Sequence, residues 1–121
     1  YDGDSISSNF YHHIINIFNK SQIKYKKLVR IKANYYSKSD FKNDEIHPPH
    51  IDGISDNCYS FIYFVNDSDG DLRIFDDNLK VVKKITPKKG QAVLFNSNKY
   101  HSGSSPVNNN NRVNINFVFE M

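Results

Sequence analysis

The residues most able to do chemistry are His50, Asp52, His101 and Arg112. His50 and Asp52 stand two positions apart in His50-Ile51-Asp52-Gly53. On an extended strand that spacing sends both side chains to one side. A second His from a distant strand would complete two imidazoles and one carboxylate on one face of a metal. Such a set leaves coordination positions open and suits a non-haem Fe(II) centre. Arg112 follows His101 by eleven positions and could hold a carboxylate through two parallel hydrogen bonds. Read alone, the tetrapeptide also fits a surface His followed by an Asx turn at Asp52 before Gly53.

The elements that must position these residues can be read from periodicity. Phe10, Ile14, Ile17 and Phe18 recur at helical spacing, with Ser7, Ser8 and Asn9 as N-cap candidates. One amphipathic helix packed on a sheet is expected there, and everything after it reads as β. Residues 28–36 alternate: Val29, Ile31, Ala33 and Tyr35 share one face, and Arg30, Lys32, Asn34 and Tyr36 the other. Residues 37–45 are polar and read as a loop that could act as a substrate lid or as a plain connection. Residues 46–53 are expected to form a short strand bearing His50 and Asp52, after the stiff pair Pro48-Pro49. Residues 58–65 are nearly all apolar or aromatic and read as a strand buried on both faces. Further strands are expected over 71–75, 81–85, 92–95 and 112–119, separated by turn-rich stretches at 66–70, 87–90 and 108–111. On the last strand Arg112, Asn114 and Asn116 share one face and Val113, Ile115 and Phe117 the other. Buried charge and amides of that kind need partners, which a dicarboxylate would supply. Short strands at regular spacing predict a mainly β chain with an N-terminal helix, arranged as a double-stranded β-helix (jelly roll, cupin-like).

Composition bounds the rest. A chain of 121 residues is expected to form one domain, residues 1–121. The net charge of +3 is mild, and its lysines are scattered or sit in stretches read as turn-like, such as Lys83-Lys84 and Lys88-Lys89. Cys58 is the only cysteine, so no intrachain disulfide can form, which suits a reducing, cytoplasmic setting. No stretch has the ~20 apolar residues of a membrane span, and no membrane partner is expected. The chain starts at Tyr1 without Met, so a trimmed N-terminus is one reading.

In order, HPPHIDG, SFIYFVN, GDLRIF, TPKKGQAVLF, YHSGSSP and RVNINFVF resemble the catalytic domain of prolyl 4-hydroxylase-type Fe(II)/2-oxoglutarate dioxygenases over residues 30–119. The resemblance implies that His50, Asp52 and His101 bind iron and are the catalytic centre. It implies that Arg112 pairs with the C5 carboxylate of 2-oxoglutarate. A Tyr on the preceding strand reaches the co-substrate in that family; Tyr36 matches it, with Asn34 on the same face as the alternative. Ser60, Ile62, Phe64 and Leu72 correspond to pocket-lining positions, with Asn114 and Asn116 beside them. Some relatives carry a second pocket Tyr where this chain has Phe64. The implied co-substrates are 2-oxoglutarate and O2, with ascorbate as an optional reductant. The implied chemistry is oxidative decarboxylation to succinate coupled to C–H hydroxylation. Related halogenases lack the carboxylate, so Asp52 argues against halogenation.

The expected partner is a peptide or protein with a target proline. An alternative is an oxidative demethylase of alkylated nucleic acid, since Arg112-Val113-Asn114-Ile115-Asn116 resembles the Arg-x-Asn-x-Thr run of that class. That class has a second Arg where this chain has Val118, and a recognition lid for which there is little room, so nucleic acid is the less favoured partner. A jelly-roll binding module without turnover is the third alternative. His12, His13 and His47 read as ordinary structural or loop histidines.

Overall fold

The computed structural model describes residues 1–3, 5–40 and 47–121. Its elements are α1 (Tyr11–Lys20), β1 (Lys27–Ser37), β2 (Cys58–Phe64), β3 (Leu72–Phe75), β4 (Val81–Ile85), β5 (Ala92–Asn96), β6 (His101–Gly103) and β7 (Asn111–Glu120). All paired strands are antiparallel, in a four-stranded sheet β1-β7-β2-β5 and a three-stranded sheet β4-β3-β6. This is the jelly-roll arrangement expected from the strand spacing. Most of the expected loop at 37–45, and the first residue of the expected strand at 46–53, lie outside the described residues. No helix among the described residues is long and apolar enough to cross a membrane.

β7 is the central strand, and its alternation builds two different cores. Ile115, Phe117 and Phe119 face α1 and join Phe18 and Leu28 in one apolar cluster. Phe18 is 1% exposed, with ring centroids 5.1 Å from Phe117 and 4.9 Å from Phe119. Truncating it to Ala should destabilise the chain by about 3–5 kcal/mol, the cost of emptying a packed aromatic site. A denaturant midpoint that does not move would show that α1 contributes nothing to the core. On the opposite side of β7, Arg112, Asn114 and Asn116 are buried between the sheets. Ile62, Phe64 and Leu72 form the apolar cluster that lines this interior.

The ladder β1–β7 pairs Tyr36 with Arg112, Asn34 with Asn114, Lys32 with Asn116 and Arg30 with Val118. A register shift between Leu28 and Arg30 leaves Val29 as an extra residue. Without it Leu28 and Arg30 would share a face. With it Leu28 joins the helix-side core while Arg30 turns towards the interior.

Two local expectations need correction. The N-cap of α1 is Phe10, and no side chain caps it. Ser8 Oγ accepts the Phe10 N–H at 3.2 Å, so the polar residues stabilise the turn before the helix instead. The described part of 46–53 is not a strand. Pro48 and Pro49 have no N–H to give to a ladder, and His50 alone bridges to His101. The Asp52 and Gly53 N–H groups both go to the Ser97 carbonyl, at 3.0 and 3.2 Å. Strand alternation therefore does not explain why His50 and Asp52 converge; a turn tied to Ser97 does.

Candidate metal centre and co-substrate cleft

The His50 N–H donates to the His101 carbonyl at 3.0 Å, and the His101 N–H returns a bond to the His50 carbonyl at 2.9 Å. This double rung sets the two imidazoles side by side, with ring centroids 4.5 Å apart. Each ring is oriented by a backbone carbonyl. His101 Nδ1 lies 3.0 Å from the Lys99 carbonyl oxygen, and His50 Nδ1 3.3 Å from that of Pro48. A carbonyl only accepts, so in the neutral rings Nδ1 carries the hydrogen and Nε2 keeps its lone pair. Both Nε2 atoms face Asp52, at 3.3 Å from Oδ2 for His101 and 3.8 Å from Oδ1 for His50. The three donor atoms lie within 4.8 Å of one another. Two lone pairs and a carboxylate converging on one point repel each other unless a cation sits between them. The donor set therefore fits a divalent metal, and its N2O composition fits Fe(II).

The electrostatics agree with this. Burial opposes ionisation of Asp52, but hydrogen bonds from Asn116 and Ser60, and from His101 when its Nε2 carries a proton, outweigh it and hold the carboxyl well below the usual range. Desolvation and the neighbouring His101 push His50 down, so its ring is neutral and able to ligate near neutral pH.

Asp52 is held by side chains on every side. Oδ2 accepts from Ser60 Oγ at 2.9 Å and Asn116 Nδ2 at 2.8 Å, and Oδ1 from Arg30 Nη2 at 2.9 Å. Ser60 Oγ also lies 2.9 Å from Ser97 Oγ, and both residues are fully buried. Since Ser60 gives its proton to Asp52, Ser97 must donate to Ser60.

Next to the triad, a cleft is lined by Asn34, Tyr36, His50, Ile62, Leu72, His101, Gly103, Arg112, Asn114 and Asn116. Arg112 forms its floor at 2% exposure. Its guanidinium carbon sits 4.3 Å from the Tyr36 ring centroid, and Nη1 donates to the carbonyls of Ser104 at 2.9 Å and Asp71 at 3.2 Å. Among the described residues its buried Nε has no hydrogen-bond partner, nor does the buried Asn116 Oδ1. Burial pushes the Arg112 pKa down, and Tyr36 and Asp71 partly offset this; an Arg so placed remains charged. A carboxylate entering the cleft would meet a fixed cation with donor capacity to spare. Asn34 Nδ2 donates to Asn114 Oδ1 at 3.0 Å, which leaves the Asn114 amide N–H groups as further donors.

Gly103 makes room for this cation. A Cβ added there would run into the Arg112 guanidinium. Gly103→Ala should therefore displace Arg112 and raise the 2-oxoglutarate concentration needed for half-saturation by about tenfold, on the order of one charged hydrogen bond. Metal affinity should not change. An unchanged half-saturation would show that Arg112 can sit elsewhere at no cost.

The structure thus brings His50, Asp52 and His101 together, and places Asn34, Tyr36, Ile62, Leu72, Arg112, Asn114 and Asn116 around the adjoining cleft. Ser60 and Phe64 stand outside that lining. Ser60 points at Asp52, and Phe64 packs in the interior cluster. His47 lies behind the cleft, with its ring centroid 5.2 Å from that of Tyr36 and Nε2 3.3 Å from Ser105 Oγ. Arg30 and Ser97 are additions. Arg30 shares the Asn34 and Tyr36 face in the alternation of β1, which was a usable signal; nothing in the sequence marks Ser97.

A family model described as 2OG-Fe(II) oxygenase superfamily matches residues 31–120. No curated protein matches the chain by sequence. Among solved structures, a non-heme monooxygenase in complex with nickel (ThoJ) is similar with a TM-score of 0.60 and 11% identity, over 78% of this chain and 44% of that one. A Pseudomonas putida prolyl-4-hydroxylase is similar with a TM-score of 0.58 and 17% identity, over 79% of this chain and 53% of that one. The chain spans about half the length of these two proteins, and at such identities the likeness concerns the fold. With the family model covering most of the chain, from β1 to the end of β7, the chain belongs to the 2OG-Fe(II) oxygenase superfamily.

Proposed function

We propose that this chain is an Fe(II)- and 2-oxoglutarate-dependent dioxygenase that hydroxylates prolyl residues in a peptide or protein. The observation that carries the catalytic part is the junction of two sites on one interior face. Of the three clustered donors His50, Asp52 and His101, the two histidines also line a cleft that the buried Arg112 shares. Bound Fe(II) with 2-oxoglutarate would supply oxidative decarboxylation coupled to insertion of oxygen into a C–H bond. His50, Asp52 and His101 would hold the metal. Arg112, Tyr36 and the Asn34–Asn114 pair would orient the dicarboxylate so that one end reaches the metal and the other the guanidinium. The apolar wall of Ile62 and Leu72 would keep water from the carbon chain.

The choice of proline rests on the ordered likeness of the motifs to prolyl 4-hydroxylases, and the fold similarity to the P. putida enzyme is consistent with it. Incubating the chain with Fe(II), 2-oxoglutarate and proline-containing peptides should yield succinate and add one oxygen atom to proline, read by mass spectrometry. Succinate without modified peptide would keep the dioxygenase and remove the prolyl assignment. Absence of both would remove the enzyme reading and favour a binding module.

A second reading, oxidative demethylation of alkylated nucleic acid, is favoured by one observation: Arg112, Asn114 and Asn116 all turn to the interior of β7. That reading expects a DNA affinity that falls steeply with added salt.

A further inference from the structure

The backbone around Asp52 does little to orient its carboxylate. The residue sits in a turn outside both sheets, and among the described residues its backbone is held through its N–H to the Ser97 carbonyl. The direction of the side chain must come from what the carboxylate touches. Ser60 and Asn116 hold Oδ2, while among the described residues Arg30 is the hydrogen-bond donor to Oδ1. We propose that Arg30 is a positioning residue for the metal site, which acts through Asp52 by fixing the plane of its carboxylate. This rests on the reading that His50, Asp52 and His101 bind a divalent metal.

Three features support a positioning role over a casual surface ion pair. The Asp52 side chain is 4% exposed, so the contact is dry on the carboxylate side although Arg30 is 35% exposed. Arg30 lies on the inward face of β1 with Asn34, opposite Val118, and the bulge at Val29 lets it keep that face while Leu28 joins the helix-side core. Among the described residues, the buried Nε of Arg30 also has no hydrogen-bond partner. A buried donor left unpaired is costly, and a residue kept only for stability would not be expected to carry it.

A guanidinium beside a metal site repels the metal, so the possible roles of Arg30 differ in sign. If it acts only as a charge, its removal should tighten metal binding. If it positions Asp52, its removal should weaken binding despite the lost repulsion. The probe is Co(II), titrated into the metal-free chain and followed by its visible absorption without turnover. Arg30→Gln is expected to weaken Co(II) binding by about 10–100-fold, the range for loss of a partner that orients a metal ligand. It should also alter the visible band. Arg30→Lys keeps the charge and N–H donors but loses the planar fork, and should recover part of the affinity. Co(II) binding by Arg30→Gln that equals or exceeds that of the unmodified chain overturns the proposal. Should Arg30→Gln not fold, Arg30→Lys decides alone: weaker binding supports positioning, and unchanged binding overturns it. Failure of the unmodified chain to bind Co(II) would instead remove the metal reading on which the proposal rests.

Discussion

Replacing His101 by Ala should abolish succinate production and weaken divalent-metal binding by more than the roughly 100-fold that marks the loss of an orienting partner. The reason lies in what that one side chain does. Its side chain is 3% exposed, is aimed by the Lys99 carbonyl, and faces Asp52 with the shortest His-to-carboxylate distance in the triad. His50 is far more open, with 56% of its side chain exposed, so it has solvent to replace a lost partner. His101→Ala removes a donor that water cannot restore with the same direction. Binding of Mn(II), measured by equilibrium dialysis, checks the outcome separately from turnover. Thermal unfolding of the metal-free variant separates loss of the site from loss of the fold. Metal binding within a few-fold of the unmodified chain would mean that these three residues are not the ligand set.

Arg112→Lys should leave metal affinity unchanged and raise the 2-oxoglutarate concentration for half-saturation by about 10–100-fold. A planar guanidinium can give a carboxylate two parallel hydrogen bonds, whereas an ammonium acts as a point charge. The lost contribution is about 1.5–3 kcal/mol, the usual worth of a hydrogen bond to a charged group, which corresponds to that range at roughly 1.4 kcal/mol per tenfold. Lys would also give up the stacking over Tyr36 and one or both bonds to the carbonyls of Asp71 and Ser104. Some loss of stability should accompany the loss of affinity, and comparing Arg112→Lys with Gly103→Ala separates the two. Gly103→Ala keeps the guanidinium and moves it. A 2-oxoglutarate dependence unaltered in both variants would exclude this cleft as the co-substrate site.

The strands were legible in the sequence because their burial is two-faced and regular. β7 reads as alternation in 112–119, and it folds as alternation, with Phe117 towards the helix and Asn116 towards the cleft. The same regularity put Tyr36 and Asn34 on the face they occupy. The sequence was least informative where the backbone leaves the ladder. His50 and Asp52 converge, but through a turn tied to Ser97, a carbonyl contact that no residue type announces. The inward turn of Arg30 follows from the alternation of β1, yet its contact with Asp52 depends on a fold-level meeting of residues 22 positions apart. Ser60 shows the same limit: its burial was legible, but its hydrogen bond to Asp52 was not. Helix capping failed for a related reason. Ser, Asn and Asp favour turns as much as caps, and Ser8 stabilises a turn.

The double rung between His50 and His101 has a consequence for how such a chain can change over time. The separation of the two imidazoles is stored in main-chain bonds that any residue type but proline can make, and antiparallel pairing fixes that separation at the spacing of neighbouring strands. Described residues outside the rung can then be replaced with little effect on the distance between the two rings. Selection on what the protein acts upon is thereby uncoupled from selection on the reactive centre. A lineage could drift to very low identity, or take up a new target, while inheriting the same inter-ring distance unchanged.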